Sequence, residues 1–373
     1  MSLTEYRYIE PLDVLFLRGN KLFGDPGSYG ESLIPPWPSV AAGAIRSRML
    51  ADDGVDLNAF AAGNSSHATL GTPAQPGSFM LQGFTMARNV SGQVELLMAP
   101  PSDLVISKDD QDNLQVSRLV PQLIDLLSSF VLPMLPVLAQ SERKKAVSGY
   151  WLTQLGWQAY LTGQIPTAAQ VIPSSDLWGI DPRVGIGMNE STGSVEDGKL
   201  FSAQAVVLKR DVGFLAAVTG AAPPVDGLLR LGGDGRAASI IETKVHMPEP
   251  DYAAIAASKR CCIVLTSPGL FPDGWKLTGV DTDNRFNLGG ISARLVSACV
   301  PRAETISGWD LARREPKPAQ RVAPTGSVYW LDDLQATPEQ LRKLTESGLW
   351  SEPCEDASRR AEGFNRCAIG VWI

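Results

Sequence analysis

The sequence predicts a mixed α+β chain made of two units that share one general plan. Its 373 residues exceed what one hydrophobic core usually organises, so two domains, or one large elaborated domain, are expected. The 35 glycines and 27 prolines require many turns and long connections, which disfavours a helical bundle. Short runs of branched and aromatic residues recur along the chain, whereas helical periodicity is confined to a few windows. With 44% hydrophobic and 20% charged residues, the composition is that of a folded rather than a disordered protein.

The elements follow in order. Tyr6 to Leu17 reads as a strand, with Pro11 marking an edge or a break. The long loop that follows opens on Arg18 and Lys21 and runs through Gly24, Pro26, Gly27, Gly30, Pro35, Pro36 and Pro38, the kind of connection that carries function. Ser39 is expected to cap a helix over Val40 to Leu50, with Val40, Ala41, Ala44, Ile45 and Met49 on one arc. Arg48 falls inside that arc and is expected to be paired, while Arg46 falls outside it and is expected to meet solvent or an anion. Phe79 to Arg88 and Val94 to Met98 form a hairpin around Asn89 to Gly92, and an acidic connector follows at Asp109, Asp110 and Asp112.

Leu119 to Gln140 is apolar enough to suggest a bilayer span, but Pro121, Pro133 and Pro136 break it, so a buried or docking segment is expected and no membrane contact. Ser148 is expected to cap a helix reaching Leu161. Arg183 to Gly187 and Lys199 to Leu208 bracket a polar turn, again as a hairpin. Strands are expected at Gly213 to Thr219, Ala237 to Val245, Cys261 to Thr266, Arg294 to Val300, Gly326 to Leu331 and Cys367 to Trp372. One helix, capped by Thr337, runs from Pro338 to about Glu346.

Several chemistries fail on the residues. Five cysteines without a C-x-x-C spacing argue against a disulfide framework or a zinc ribbon and fit a reducing cytoplasm, and the N-terminus has no secretory signal pattern. Gly193 to Lys199 approaches a phosphate loop, but Leu200 stands where magnesium binding needs Ser or Thr. Gly185 and Gly187 lack the third glycine of a dinucleotide fingerprint, since Glu190 occupies it. The two histidines, His67 and His246, exclude a histidine-rich metal centre; His67 reads as a surface residue and His246 as a structural hydrogen-bonding residue. Asp281 and Asp283 read as a solvated turn. No cofactor or metal is expected.

A net charge of −7 counts against a free-standing nucleic-acid binder, so any such role must use local charge. The window from Arg294 to Arg321 supplies some, with Arg302, Arg313, Arg314 and Lys317 set against Glu304, Asp310 and Glu315. Gly227 to Ser239 supplies another. Gly232, Gly233 and Gly235 allow positive φ and close backbone approach, and Arg236 adds a planar donor fork. Taken alone, the same stretch is better explained as a tight β-hairpin.

Seven segments together resemble one family: Glu10 to Arg18 (EPLDVLFLR), Pro35 to Arg46 (PPWPSVAAGAIR), Arg183 to Gly187 (RVGIG), Leu229 to Arg236 (LRLGGDGR), Ser307 to Leu311 (SGWDL), Ala323 to Tyr329 (APTGSVY) and Glu362 to Gly370 (EGFNRCAIG). Their order along nearly the whole chain is similar to the third Cmr subunit family of type III-B CRISPR effector complexes, in the RAMP superfamily. The resemblance implies two ferredoxin-like domains of the RNA-recognition-motif type, with antiparallel sheets and glycine-rich loops, over residues 1–210 and 211–373. It implies a cytoplasmic, non-catalytic subunit that grips the repeat-derived 5′ tag of CRISPR RNA beside the large Cas-ten subunit and the backbone subunits. Asn365 departs from the family pattern, which usually has glycine there.

On this reading Arg18, Lys21, Arg46, Gly232, Gly233, Gly235 and Arg236 form an RNA groove, extended by Arg294, Lys317, Arg321 and Arg366. Two rivals stand beside it. One is a metal-independent RNA-processing endoribonuclease using His67 or His246, and the other is a scaffold docking through Leu119 to Gln140.

Overall fold

In the computed structural model, which describes residues 3–17, 19, 29–30, 32–123, 125, 128–140, 144–189, 191–310, 313 and 315–372, strand outweighs helix by 39% to 16%. The elements form several antiparallel sheets in a mixed α/β arrangement. Where the sequence suggests one boundary at residue 210, the chain sorts into two compact units of three stretches each. The first holds residues 1–94, 175–244 and 305–320, and the second 95–174, 245–304 and 321–373. The interleaving follows from strands far apart in sequence sharing one sheet.

In the first unit these are β1 (Glu5–Pro11), β2 (Met80–Val90), β3 (Trp178–Met188), β4 (Val195–Leu208), β5 (Val212–Thr219), β6 (Leu228–Arg230) and β7 (Ala237–Glu242). Five of them stand in the order β6-β7-β1-β5-β2 with every neighbouring pair antiparallel, and Gln93–Leu97 continues from β2 as a hairpin that leads the chain out of the unit. β5 (VGFLAAVT) is buried along its whole length, as a central strand covered on both faces should be.

β1 stops at Pro11, earlier than the predicted strand, because proline offers no ladder donor. The chain pairs again only at Leu15, which exchanges two backbone hydrogen bonds of 2.8 Å with Val206 of β4. Helix α1 (Pro38–Asp52) starts one residue before the expected cap. Pro38 holds its first turn, and Trp37, not Ser39, is the N-cap, without a side-chain bond. Of the predicted apolar arc Ala41, Ala44, Ile45 and Met49 are buried, while Val40 is half-buried and Ala42, outside the arc, is buried as well.

In the second unit β8 (Cys261–Leu265), β9 (Arg285–Leu288), β10 (Ile291–Cys299), β11 (Val328–Gln335) and β12 (Cys367–Gly370) form a sheet in the order β9-β10-β11-β8-β12, again antiparallel throughout. Helix α2 (Pro338–Ser347) joins β11 to β12. Thr337 and Gln340 form the capping box, and Leu341 and Leu344 face the core. The expected Ser148 cap is replaced. Tyr150–Leu152 is a strand paired with Val171–Pro173, and Thr153 caps the helix Gln154–Leu161 by accepting from the Gly156 N–H. The proline-broken apolar segment contributes the paired strands Val120–Gln122 and Leu135–Val137. No helix among the described residues is long and apolar enough to cross a membrane.

Candidate nucleic-acid interface

The glycine-rich turn lies in the first unit and is a hairpin in its backbone. β6 and β7 pair from Leu228–Ser239 to Arg230–Ala237, and the Leu231 N–H donates to the Arg236 carbonyl at 2.9 Å. Gly232 and Gly235 adopt φ of +77° and +62°, the left-handed region that glycine enters without strain. At Gly232 a Cβ would stand 2.8 Å from the Phe16 carbonyl oxygen, so glycine is needed for close approach as well as for φ. The Gly233 N–H donates to that same carbonyl at 2.8 Å, and the Arg236 N–H donates to the Gly233 carbonyl at 3.4 Å. This corrects one expectation: these two amides hold the turn onto its own neighbour and are not held out for a ligand.

The side chains are arranged differently. Arg236 Nη1 meets Asp13 Oδ2 at 2.8 Å, and its guanidinium stands 5.3 Å from the centroid of Phe16. Arg183, from β3, stands 5.9 Å from the same ring and pairs with Asp181 at 2.9 Å. Both distances suit a cation over an aromatic face. Phe16 is fixed from beneath by Val14, Ala203 and Ala205, a small buried cluster between the first strand segment and β4. Two guanidinium groups therefore converge on one fixed ring beside a turn that sequence alone had singled out.

Arg18 and Lys21 lie outside the described residues. Arg46, expected to meet solvent or an anion, is half-buried with its guanidinium 6.0 Å over the ring of Phe79. Arg48 is paired as predicted: Nε meets Asp52 at 2.6 Å and Nη1 donates to the Leu228 carbonyl, tying α1 to β6 next to the glycine turn. Lys317 belongs to the first unit. Arg294 and Arg321 are exposed residues of the second unit, and Arg294 forms a bidentate pair with Asp332 at 2.9 and 2.7 Å.

Arg366 is also in the second unit but only 3% exposed, so it does not extend an open groove. It donates to the Thr345 and Glu346 carbonyls at 3.0 and 2.8 Å, closing the end of α2, and burial lowers its pKa to about 10. Asn365 takes φ +56° and exchanges side-chain hydrogen bonds with both backbone groups of Leu270, so it makes the left-handed turn without a glycine.

His67 is not a free surface residue. Its Nδ1 accepts the Thr69 and Leu70 N–H groups at 3.2 Å each, and Nε2 meets Asp53 at 2.7 Å. At His246 it is the backbone carbonyl that accepts from Gln154, at 3.1 Å. Sequence reading missed Asp13, Asp181 and Phe16 as parts of the site, and the exposed apolar side chains Ile180, Val184, Ile186 and Leu200 of the β3–β4 hairpin. It also missed a buried group in the second unit, Asp103, Arg118, Tyr160 and Cys262. Among the described residues no group of His, Cys, Asp or Glu is arranged to hold a metal ion.

Comparison with known proteins adds three findings. The family described as Cas_Cmr3, CRISPR-associated protein, matches residues 7–372. A chain of the cryo-EM structure of the Type III-B Cmr-beta bound to cognate target RNA and AMPPnP is similar at 15% identity and TM-score 0.42, over 91% of this chain and 88% of that one. A chain of the Type III-B Cmr-beta bound to cognate target RNA gives 14% identity and TM-score 0.45, over 87% and 86%. No curated protein matches.

Proposed function

We propose a function from one premise: this chain belongs to the Cas_Cmr3 family of CRISPR-associated proteins. It is a non-catalytic subunit of a type III-B RNA-guided effector complex. It binds the repeat-derived 5′ tag of CRISPR RNA and docks the large Cas-ten subunit beside the backbone subunits. The observation that carries the RNA contact is the convergence of Arg236 and Arg183 on Phe16 at the glycine turn. Guanidinium forks match phosphate oxygens, and glycine at 232, 233 and 235 leaves room for a sugar-phosphate backbone to come close.

Two further observations support the reading. In each unit four strands stand in the order fourth, first, third, second, as a ferredoxin-like unit requires: β7-β1-β5-β2 and β12-β8-β11-β10. α1 lies between the first and second strands of the former, and α2 between the third and fourth of the latter. Against the nuclease alternative, His67 spends Nδ1 on two amide donors and Nε2 on Asp53, leaving no ring nitrogen to take a substrate proton. The test is photocrosslinking of tag RNA to the chain. A crosslink concentrated at residues 232–236 supports the assignment, and uniform, tag-independent crosslinking overturns it.

A further inference from the structure

The cation at the glycine turn is already occupied. Asp13 takes one Nη of Arg236 at 2.8 Å, while the buried Nε has no acceptor among the described residues. Asp13 is not a wandering surface carboxylate, because its other oxygen accepts the Val14 N–H at 2.7 Å and so holds the side chain beside Phe16. Arg183 repeats the arrangement with Asp181 on the same ring. Two guanidinium groups thus converge on one ring, each paired with a carboxylate, and the formal charges of the two pairs cancel. A phosphate and a carboxylate compete for guanidinium donors, so an RNA backbone can take the Nη1 donor of Arg236, and with it the full fork, only by displacing Asp13.

Resting on the RNA-contact reading above, we infer that Asp13 is a selectivity residue. It stands in for phosphate when no RNA is bound and raises the threshold that an incoming RNA must pass. A random RNA backbone meets no net positive charge at this site and gains little from it. A cognate tag, held by its other contacts, reaches Arg236 at high local concentration and displaces the carboxylate. The acidic pair is therefore a device against indiscriminate RNA binding, consistent with a net charge of −7 on the whole chain.

The test uses the full chain as wild type, Asp13→Asn and Arg236→Ala, with two labelled RNA oligonucleotides of equal length, one carrying the repeat tag and one unrelated. Anisotropy titrations are run across a KCl series. Asparagine keeps an acceptor for the Val14 N–H and removes only the charge; Asp13→Ser serves as a second variant, and thermal melts check folding. Asp13→Asn is expected to tighten both RNAs by about three- to tenfold, the unrelated one more, and to steepen the slope of log affinity against log salt by about 0.7. If Arg236→Ala weakens binding while neither Asp13 variant strengthens it, the selectivity inference alone is overturned. If binding is indifferent to Arg236, the RNA-contact reading falls and takes this inference with it.

Discussion

Two places in the molecule use the same three parts, an arginine, an aspartate and an aromatic ring, to opposite ends. In the first unit Arg236 meets Asp13 at 2.8 Å and Phe16 at 5.3 Å, with the two charged side chains 28% and 59% exposed. In the second, Arg118 meets Asp103 at 2.7 Å and Tyr160 at 4.2 Å, with the charged side chains 3% and 0% exposed. The distances to the carboxylate are nearly equal; the solvent is not. In water an ion pair is weakly held and can exchange one anion for another. In the core neither charge can leave without stranding its partner. The Tyr160 hydroxyl, donating to Asp103 at 2.9 Å, and Cys262, 3.5 Å from the guanidinium, close the buried group further. Solvent access therefore separates a contact suited to exchanging ligands from one suited to fixing a fold.

The sharpest way to break this comparison is Arg118→Ala. Leaving Asp103 buried and unpaired should cost about 3–5 kcal/mol in urea unfolding, and a cost near that of a surface pair would erase the contrast. Next comes Gly232→Ala, which places a methyl group at φ +77° and 2.8 Å from the Phe16 carbonyl. It should destabilise the first unit by about 1–2 kcal/mol and lower RNA retention through the displaced turn. Arg236→Ala should change stability by less than about 1 kcal/mol, since its pair is exposed, while lowering RNA affinity about tenfold. An effect on stability as large as that of Arg118→Ala would make the two pairs alike.

The smallest effect is chemical. Burial pushes the Cys262 and Cys261 thiols up, and that of Cys367 to about 12, so alkylation of the native chain near pH 8 should leave all three unmodified. In Arg118→Ala the Cys262 thiol loses the cation that favours its thiolate, so peptide mass spectrometry should still find it unmodified while the fold persists.

Much of this was legible from residues near one another in the sequence. The glycine turn, the β3–β4 hairpin and the Thr337 capping box are local, and each stands where its residue types indicate. What was not legible is set by pairing across long separations. Asp13 finds Arg236 across 223 positions, and nothing local to either residue signals the other. Ser39 and Ser148 have good capping chemistry, but Pro38 starts one helix earlier and the pairing of Tyr150–Leu152 with Val171–Pro173 delays the other. Arg366 reads as a surface cation beside a loop, and only the arrival of α2 turns it into a buried clasp.

The interleaved order of the first sheet also bears on how the chain emerges from the ribosome. β1 pairs on one side with β5 and on the other with β7, and both lie about 200 or more residues later. At translation rates of about 5–20 residues per second, β1 waits roughly 10–40 s with neither edge covered. During that interval its YRYIE sequence is an open template for any strand that reaches it. Low yield of this protein when overproduced should therefore respond to slower synthesis or to chaperones that shield the nascent chain, more than to substitutions that stabilise the finished fold.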